Sequence, residues 1–192
     1  MRRLPCLVLA SLSVAALASL AACSGNSTSS ASGAGTAAPA SDTATVSCDA
    51  GAVCSAARLI GSVSGDTADA GVKATGTTSA WVHVRVTEDD SAWSGRPVRL
   101  RATLTSPGGA DFELHAFLDT SRNDDAGLDC AHEVGTAIRG AEGSTLDISW
   151  GDPADASANG VDDGRTVALE VRHVAGECRA GASWTLDVQG GP

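Results

Sequence analysis

Strict alternation of apolar and polar residues is the feature that most limits what this 192-residue chain can fold into. In residues 81–86 three valines fall on one side of an extended chain and polar residues on the other, and residues 98–104 repeat the pattern. Side chains of a β-strand alternate between its two faces, so each segment predicts a strand with one buried face. Further strands are predicted at residues 112–118, 146–150, 167–173 and 184–188.

Turn-forming residues separate these segments, as in Ser-Pro-Gly-Gly at 106–109, Asn-Gly at 159–160 and Asp-Gly at 163–164. No segment keeps a helical apolar period for more than about two turns. The pattern predicts an all-β fold, an antiparallel β-sandwich of jelly-roll-like form, in one domain over residues 46–192. Residues 55–60 fit either a helical turn or the first strand.

The first 45 residues differ in composition from the rest. Two arginines and an apolar run lead to Leu20-Ala21-Ala22-Cys23. This order resembles a bacterial lipoprotein signal peptide with a lipobox, which implies removal of residues 1–22 and lipid attachment at Cys23. A plain secretory signal and a retained transmembrane anchor are the alternatives, although a run of about 17 residues is short for a spanning helix.

Residues 23–45 are almost entirely Ser, Ala, Gly, Thr and Pro, which predicts a flexible linker. The chain is therefore expected to be exported and attached by lipid to the cell membrane or the outer membrane. The membrane is thus one expected partner, through the lipid anchor.

Once Cys6 has left with the leader and Cys23 carries lipid, four cysteines remain. An even number in an exported chain predicts two disulfides. Three pairings are open, and we favour Cys48–Cys54 with Cys130–Cys178. A zinc site formed by Cys130, His132 and Cys178 is the competing interpretation.

Two segments carry a family resemblance: residues 106–119 (SPGGADFELHAFLD) and residues 182–191 (ASWTLDVQGG). They resemble the bacterial pre-peptidase C-terminal domain, and residues 165–176 resemble its preceding strand. Glu113 stands where that family usually has aspartate, and His115 and Phe117 stand where tyrosines are common. The resemblance implies a non-catalytic, jelly-roll-like sandwich of a family in which some members bind calcium, collagen or polysaccharide.

Charge and motifs narrow the functional classes. The formal net charge of −10 argues against nucleic-acid binding, which needs a basic surface, and fits divalent cations or basic partners. The sequence Gly-Ser-Val-Ser-Gly at 61–65 lacks the central serine of a nucleophile elbow, and residues 132–136 lack the second histidine of a zinc protease. We therefore expect no enzyme but a binding or interaction module, with a structural or accessory envelope protein as the alternative.

Calcium is the expected cofactor, if there is one. Oxygen donors recur at positions 1, 3, 5, 7 and 9 of a calcium-type loop, with Gly160 at position 6 and Thr166 in place of the usual glutamate at position 12. The donors are Asp155, Ser157, Asn159, the carbonyl of Val161, and Asp163. A second acidic cluster comprises Asp119, Asn123, Asp124 and Asp125.

The four tryptophans divide by their place in the pattern. Trp150 and Trp184 share the apolar phase of their strands and are expected in the core. Trp93 lies in an acidic loop, where an exposed indole can stack on a sugar ring. The expected ligand is therefore a polysaccharide or a protein.

Overall fold

The structure is a computed structural model and describes residues 46–49, 51–88, 95–118, 128–137, 143–152 and 162–191. The predicted leader, lipobox cysteine and linker lie outside these residues. Within them the chain forms nine β-strands and a single 3₁₀ turn at Cys54–Ala56. The strands are β1 (Arg58–Ser64), β2 (Val72–Gly76), β3 (Ala80–Thr87), β4 (Pro97–Thr105), β5 (Ala110–Phe117), β6 (Glu133–Ala137), β7 (Ser144–Gly151), β8 (Arg165–Gly176) and β9 (Trp184–Gly190).

The strands form two sheets. A five-stranded sheet has the order β1-β3-β8-β5-β6, and a four-stranded sheet has the order β2-β9-β4-β7. Strands β2 to β9 alone give the two four-stranded sheets of a jelly roll, and all their pairings are antiparallel. Strand β1 is added beside β3 and runs parallel to it. The predicted all-β sandwich is confirmed, and the parallel edge makes the larger sheet mixed.

The six strands predicted by alternation are all present, each somewhat longer than its pattern. The segment 55–60 contains both predicted alternatives, because the 3₁₀ turn ends just before β1 begins. The two arginines of the predicted strand 98–104, Arg99 and Arg101, do not lie beside β8, which belongs to the five-stranded sheet. Strand β4 lies in the other sheet, between β9 and β7, and Arg101 is opposite Asp147.

The inner faces of the two sheets form one hydrophobic core. Its fully buried large side chains come from both sheets and include Val84, Phe112, Leu114, Leu169, Leu186 and Trp184. Trp184 is 1 % exposed, as predicted, and its indole N–H donates to the carbonyl of Thr78 at 2.8 Å. Trp150 is only half-buried, at the end of β7, and its indole N–H donates to the carbonyl of Asp163.

Two disulfides join Cys48 to Cys178 and Cys54 to Cys130, with Cα–Cα distances of 5.4 and 6.0 Å. Both N-terminal cysteines belong to the segment that precedes β1, which we call the strap (described residues 48–49 and 51–54). The strap starts at the β8–β9 connection, contacts β3 through its 3₁₀ turn, and is bonded to Cys130 just before β6. Because β1 and β6 are opposite edges of the five-stranded sheet, the strap crosses the outer face of that sheet.

The favoured pairing of Cys48 with Cys54 and of Cys130 with Cys178 is therefore wrong. The strap is drawn out across the sheet, so its two cysteines lie beside different distant segments instead of closing a small loop. The alternative zinc site formed by Cys130, His132 and Cys178 is also wrong, because Cys130 and Cys178 belong to separate disulfides.

The outer face of the five-stranded sheet has an unusual burial pattern. Phe117 and Ala168 alternate with core residues and so point away from the sandwich interior, yet Phe117 is 7 % exposed and Ala168 is inaccessible. The Trp81 ring packs on Phe117 with centroids 4.9 Å apart. The outer face of the five-stranded sheet is thus a second, smaller packing layer.

Glycine at position 76 is required by the core. A Cβ there would lie 2.3 Å from the Trp184 ring, whereas a Cβ at Gly108 would meet nothing within 4 Å. We expect Gly76→Ala to lower the free energy of unfolding by about 1–3 kcal/mol through overpacking, and Gly108→Ala to change it by less than about 0.5 kcal/mol. Urea unfolding followed by tryptophan fluorescence measures both, and equal stabilities of the two variants would contradict this packing.

Candidate functional site

A shallow depression of about 350 Å³ lies on the outer face of the four-stranded sheet. The alternation that buries Val98 and Leu100 turns the intervening side chains of β4 outward. The polar lining comes from three adjacent strands. It comprises Arg99 and Arg101 of β4, Asp147 and Ser149 of β7, and Gln189 of β9. We call these five residues the arginine groove.

The two arginines of the groove differ in their partners. Arg101 donates from Nε to Asp147 Oδ1 at 2.6 Å, and this hydrogen bond, together with the negative charge of Asp147, raises the pKa of Arg101. Arg99 lies opposite Ser149, and its backbone N–H donates to the carbonyl of Gly65 at 2.7 Å. In the part of the chain that the structure describes, no carboxylate pairs with the exposed Arg99 guanidinium.

A second depression of about 260 Å³ shares Arg99 with the groove. Its lining also includes Asp66, Arg96 and Pro97. Three arginines within six residues of sequence therefore line one continuous surface. With Asp66 and Asp147 beside them, the three arginines leave a small local excess of positive charge in a chain whose net charge is −10.

The chemistry of this surface suits binding. A guanidinium is planar and presents paired donors that match a carboxylate, and Ser149 and Gln189 add neutral donors and acceptors. Among the described residues that line the two depressions there is no histidine or cysteine. Because both are open and shallow, they suit an extended ligand lying across the sheet better than an enclosed small molecule.

The opposite side of the molecule carries a depression of about 310 Å³ between the strap and the five-stranded sheet. Asp49 and Ala52 line it from the strap, and Ser79, Glu170 and Arg172 line it from the sheet. Arg172 donates to Glu170 at 2.5 Å, which raises the pKa of Arg172. Arg172 and Glu170 are therefore already engaged with each other.

His115 anchors a polar cluster on the same outer face. It is 7 % exposed, its Nδ1 lies 2.8 Å from Glu133 Oε1, and its Nε2 lies 3.5 Å from Glu113 Oε2. The Thr136 hydroxyl donates to the Glu133 carboxylate. This bond, followed by the bond from His115, holds the pKa of Glu133 below its ordinary value.

Of the predicted calcium donors, the structure describes only Asp163; Asp155, Ser157, Asn159 and Val161 lie outside the described residues. Asp163 is 5 % exposed, and its Oδ1 lies 3.7 Å from Nη2 of the equally buried Arg165. Its backbone N–H donates to Glu88 at 2.6 Å. Asp163 thus has a structural role of its own, and the calcium loop stays a prediction.

Two other predicted features also lie outside the described residues. They are Trp93, assigned to glycan contact, and the acidic cluster at residues 119–125. In the sequence, Trp93 is three residues before Arg96.

Among the described residues, one set of three potential metal ligands lies close together: Cys48, His173 and Cys178. Sequence patterns indicate a role for both cysteines but not for His173. Its separation of five residues from Cys178 is not a metal-binding signature, and only the fold brings Cys48 to the same place.

No family model matches this sequence, and no curated protein matches it. Two solved structures show a distant likeness. One is the pre-peptidase C-terminal domain of a collagenase from Bacillus anthracis, with 8 % identity and a TM-score of 0.37, covering 69 % of this chain and 96 % of that one. The other is PliG from Aeromonas hydrophila, a periplasmic inhibitor of g-type lysozyme, with 12 % identity and a TM-score of 0.27, covering 70 % and 98 %. Both are too distant to carry an argument about function.

Within the described residues there is no helix that is both long and apolar enough to span a bilayer.

The polar cluster of His115, Glu133 and Thr136 predicts that the stability of the fold depends on pH. Because the folded state lowers the pKa of Glu133, the ionised carboxylate stabilises the fold above the ordinary glutamate pKa, and this contribution is lost as pH falls through the lowered value. We expect Thr136→Val to raise the Glu133 pKa toward its ordinary value, as measured by NMR titration of the side-chain carboxyl. Thr145→Val is the control, since among the described residues its hydroxyl is hydrogen-bonded to the Thr103 hydroxyl, 3.2 Å away, and not to a carboxylate. A Glu133 pKa that is unchanged by Thr136→Val would contradict the assignment.

Proposed function

We propose that this protein is an exported, lipid-anchored and non-catalytic binding module. Its arginine groove binds an anionic polysaccharide, such as a chain that carries uronic acids. The observation that carries the proposal is the Arg99 guanidinium, which pairs with no carboxylate among the described residues, beside the paired Arg101 on an open sheet face of an acidic chain.

Three features of the groove support a polysaccharide as the ligand. Its open shape fits a chain that continues beyond the site in both directions. The combination of charged donors on β4 with the neutral Ser149 of β7 and Gln189 of β9 matches a ligand with both carboxylates and hydroxyls. Trp93, just before Arg96 in the sequence, is proposed to add a stacking surface for a sugar ring.

Export is supported by the two disulfides, which form and persist in oxidising compartments. Lipid attachment rests on the sequence Leu20-Ala21-Ala22-Cys23. Cys23 would hold the module at the membrane through the linker 23–45, so that the groove can meet polymers of the cell envelope.

The ligand proposal predicts a selective loss of binding. Arg99→Gln removes the guanidinium cation of Arg99. We expect the affinity of the variant for polygalacturonate to fall about tenfold, because one charge-assisted hydrogen bond is lost. Arg58→Gln is the matched control, because Arg58 is an exposed arginine on β1 of the other sheet. Isothermal titration calorimetry at two salt concentrations measures both variants. Equal binding to neutral dextran, or an Arg99→Gln variant as tight as wild type, would overturn the proposal.

The anchor proposal predicts a change of location without a change of fold. Cys23→Ser removes the only proposed lipid attachment, so we expect the protein to leave the membrane fraction. Immunoblots of membrane and soluble fractions measure this, and circular dichroism of the released protein should show the same β spectrum. An unchanged membrane fraction would refute the anchor.

We also propose that residues 155–163 bind calcium. Saturating calcium should raise the melting temperature by several degrees, since a ligand at about 100 times its Kd stabilises by about 2.7 kcal/mol. Asp155→Asn should abolish the rise, whereas Asp187→Asn, an aspartate outside the loop, should keep it. Asp163 is a poor test, because its buried carboxylate faces Arg165 and its loss destabilises the fold without calcium. No shift at millimolar calcium would eliminate this site.

A further inference from the structure

His173 lies beside the disulfide that fixes the start of the strap. A ring nitrogen of His173 and the sulfurs of Cys48 and Cys178 are all within 4.8 Å of one another. His173 Nε2 is shielded from solvent and has no hydrogen-bond partner among the residues that the structure describes. A buried imidazole nitrogen without a partner carries a desolvation cost, so this atom is available to a ligand that can reach it.

Neighbouring groups hold the histidine in place. Its backbone N–H donates to the Ser79 hydroxyl at 3.0 Å, and its ring packs edge-on against Phe112 with centroids 5.5 Å apart. The backbone of Ser79 in turn donates to the carbonyl of Cys48 at 2.7 Å. The three potential ligands are thus assembled by the fold before any metal arrives.

We propose that Cys48, Cys178 and His173 form a zinc site when the Cys48–Cys178 disulfide is reduced. Two thiolates and one imidazole are a set that Zn²⁺ binds tetrahedrally, with the fourth position left for water. Zinc–sulfur distances of about 2.3 Å require the sulfurs to separate to about 3.8 Å. The Cα atoms, 5.4 Å apart, lie in adjacent chain segments that such a separation need not pull apart.

The chemistry balances in two steps. An external dithiol transfers two electrons and two protons to the disulfide, giving two cysteine thiols and the cyclic disulfide of the reductant. Zn²⁺ then binds both sulfurs, and the two thiol protons pass to solvent. The strap is therefore held at its first residue either by a covalent bond or by a metal, and the two states exclude each other.

The second disulfide offers no equivalent site. Among the residues that the structure describes, no third ligand groups with Cys54 and Cys130. This difference between two cysteine pairs in one chain supplies an internal control for the experiment.

The experiment uses the mature chain, residues 23–192 produced without the leader and carrying Cys23→Ser, so that Cys48, Cys54, Cys130 and Cys178 are its only thiols after reduction. After reduction with a phosphine, Co²⁺ is titrated as a spectroscopic substitute for zinc. We expect one cobalt per chain with thiolate-to-cobalt charge-transfer absorption, its displacement by one equivalent of Zn²⁺, and release of two protons per zinc. His173→Ala should weaken cobalt binding at least about tenfold, because it removes one of three protein ligands. His132→Ala, beside Cys130, should leave binding unchanged.

A second measurement remains decisive if the reduced chain or a variant is partly unfolded. Maleimide labelling, mapped by mass spectrometry after digestion, gives the reactivity of each cysteine with and without zinc. We expect zinc to slow labelling of Cys48 and Cys178 at least about tenfold and that of Cys54 and Cys130 less than about twofold, since metal-bound thiolates react slowly. Equal protection of all four cysteines, no protection, or a cobalt spectrum that survives His173→Ala unchanged would overturn the proposal.

Discussion

The inner faces of the two sheets pack together through fully buried side chains such as Val84, Leu169 and Leu186, and the polar surfaces are set by this contact. In β4 the burial of Val98 and Leu100 is what turns Arg99 outward. A slip of one residue in register would exchange the two faces, placing guanidinium groups in the core and leucines in water. The groove therefore needs no dedicated scaffold, because the free energy that closes the sandwich also positions its charges.

Much of this fold could be predicted because six strands carry a clear period of two. The other three strands carry no such clear period. Strand β6 has the sequence Glu-Val-Gly-Thr-Ala and is half-exposed at a sheet edge, so it has no large buried residues to mark it. Strand β2 is short, with only Ala74 fully buried, and β1 shifts register between Leu59 and Gly61. The parallel pairing of β1 with β3 leaves no local signal, because it depends on which edge the chain reaches.

The surface features show the same division between local and non-local information. The sequence indicates that Arg99 and Arg101 face outward, but their partners depend on strand order, and the jelly-roll crossing places β7 and not β8 beside them. Likewise the sequence predicts that four cysteines are oxidised, but not which are neighbours. No sequence motif surrounds His173. It becomes a potential metal ligand only because the fold places Cys48 of the strap beside the end of β8.

The position of the Cys48–Cys178 bond also determines how the domain bears mechanical load. The backbone N–H of Val46 donates to the carbonyl of Cys178, and the covalent link follows two residues later. Tension applied to the chain ahead of Val46 therefore passes into the β8–β9 connection, which joins the two sheets, before it reaches the edge strand β1. An intact disulfide spares the hydrogen bonds between β1 and β3 from being peeled apart one by one. The disulfide therefore makes the domain resistant to unfolding by tension on the chain ahead of Val46.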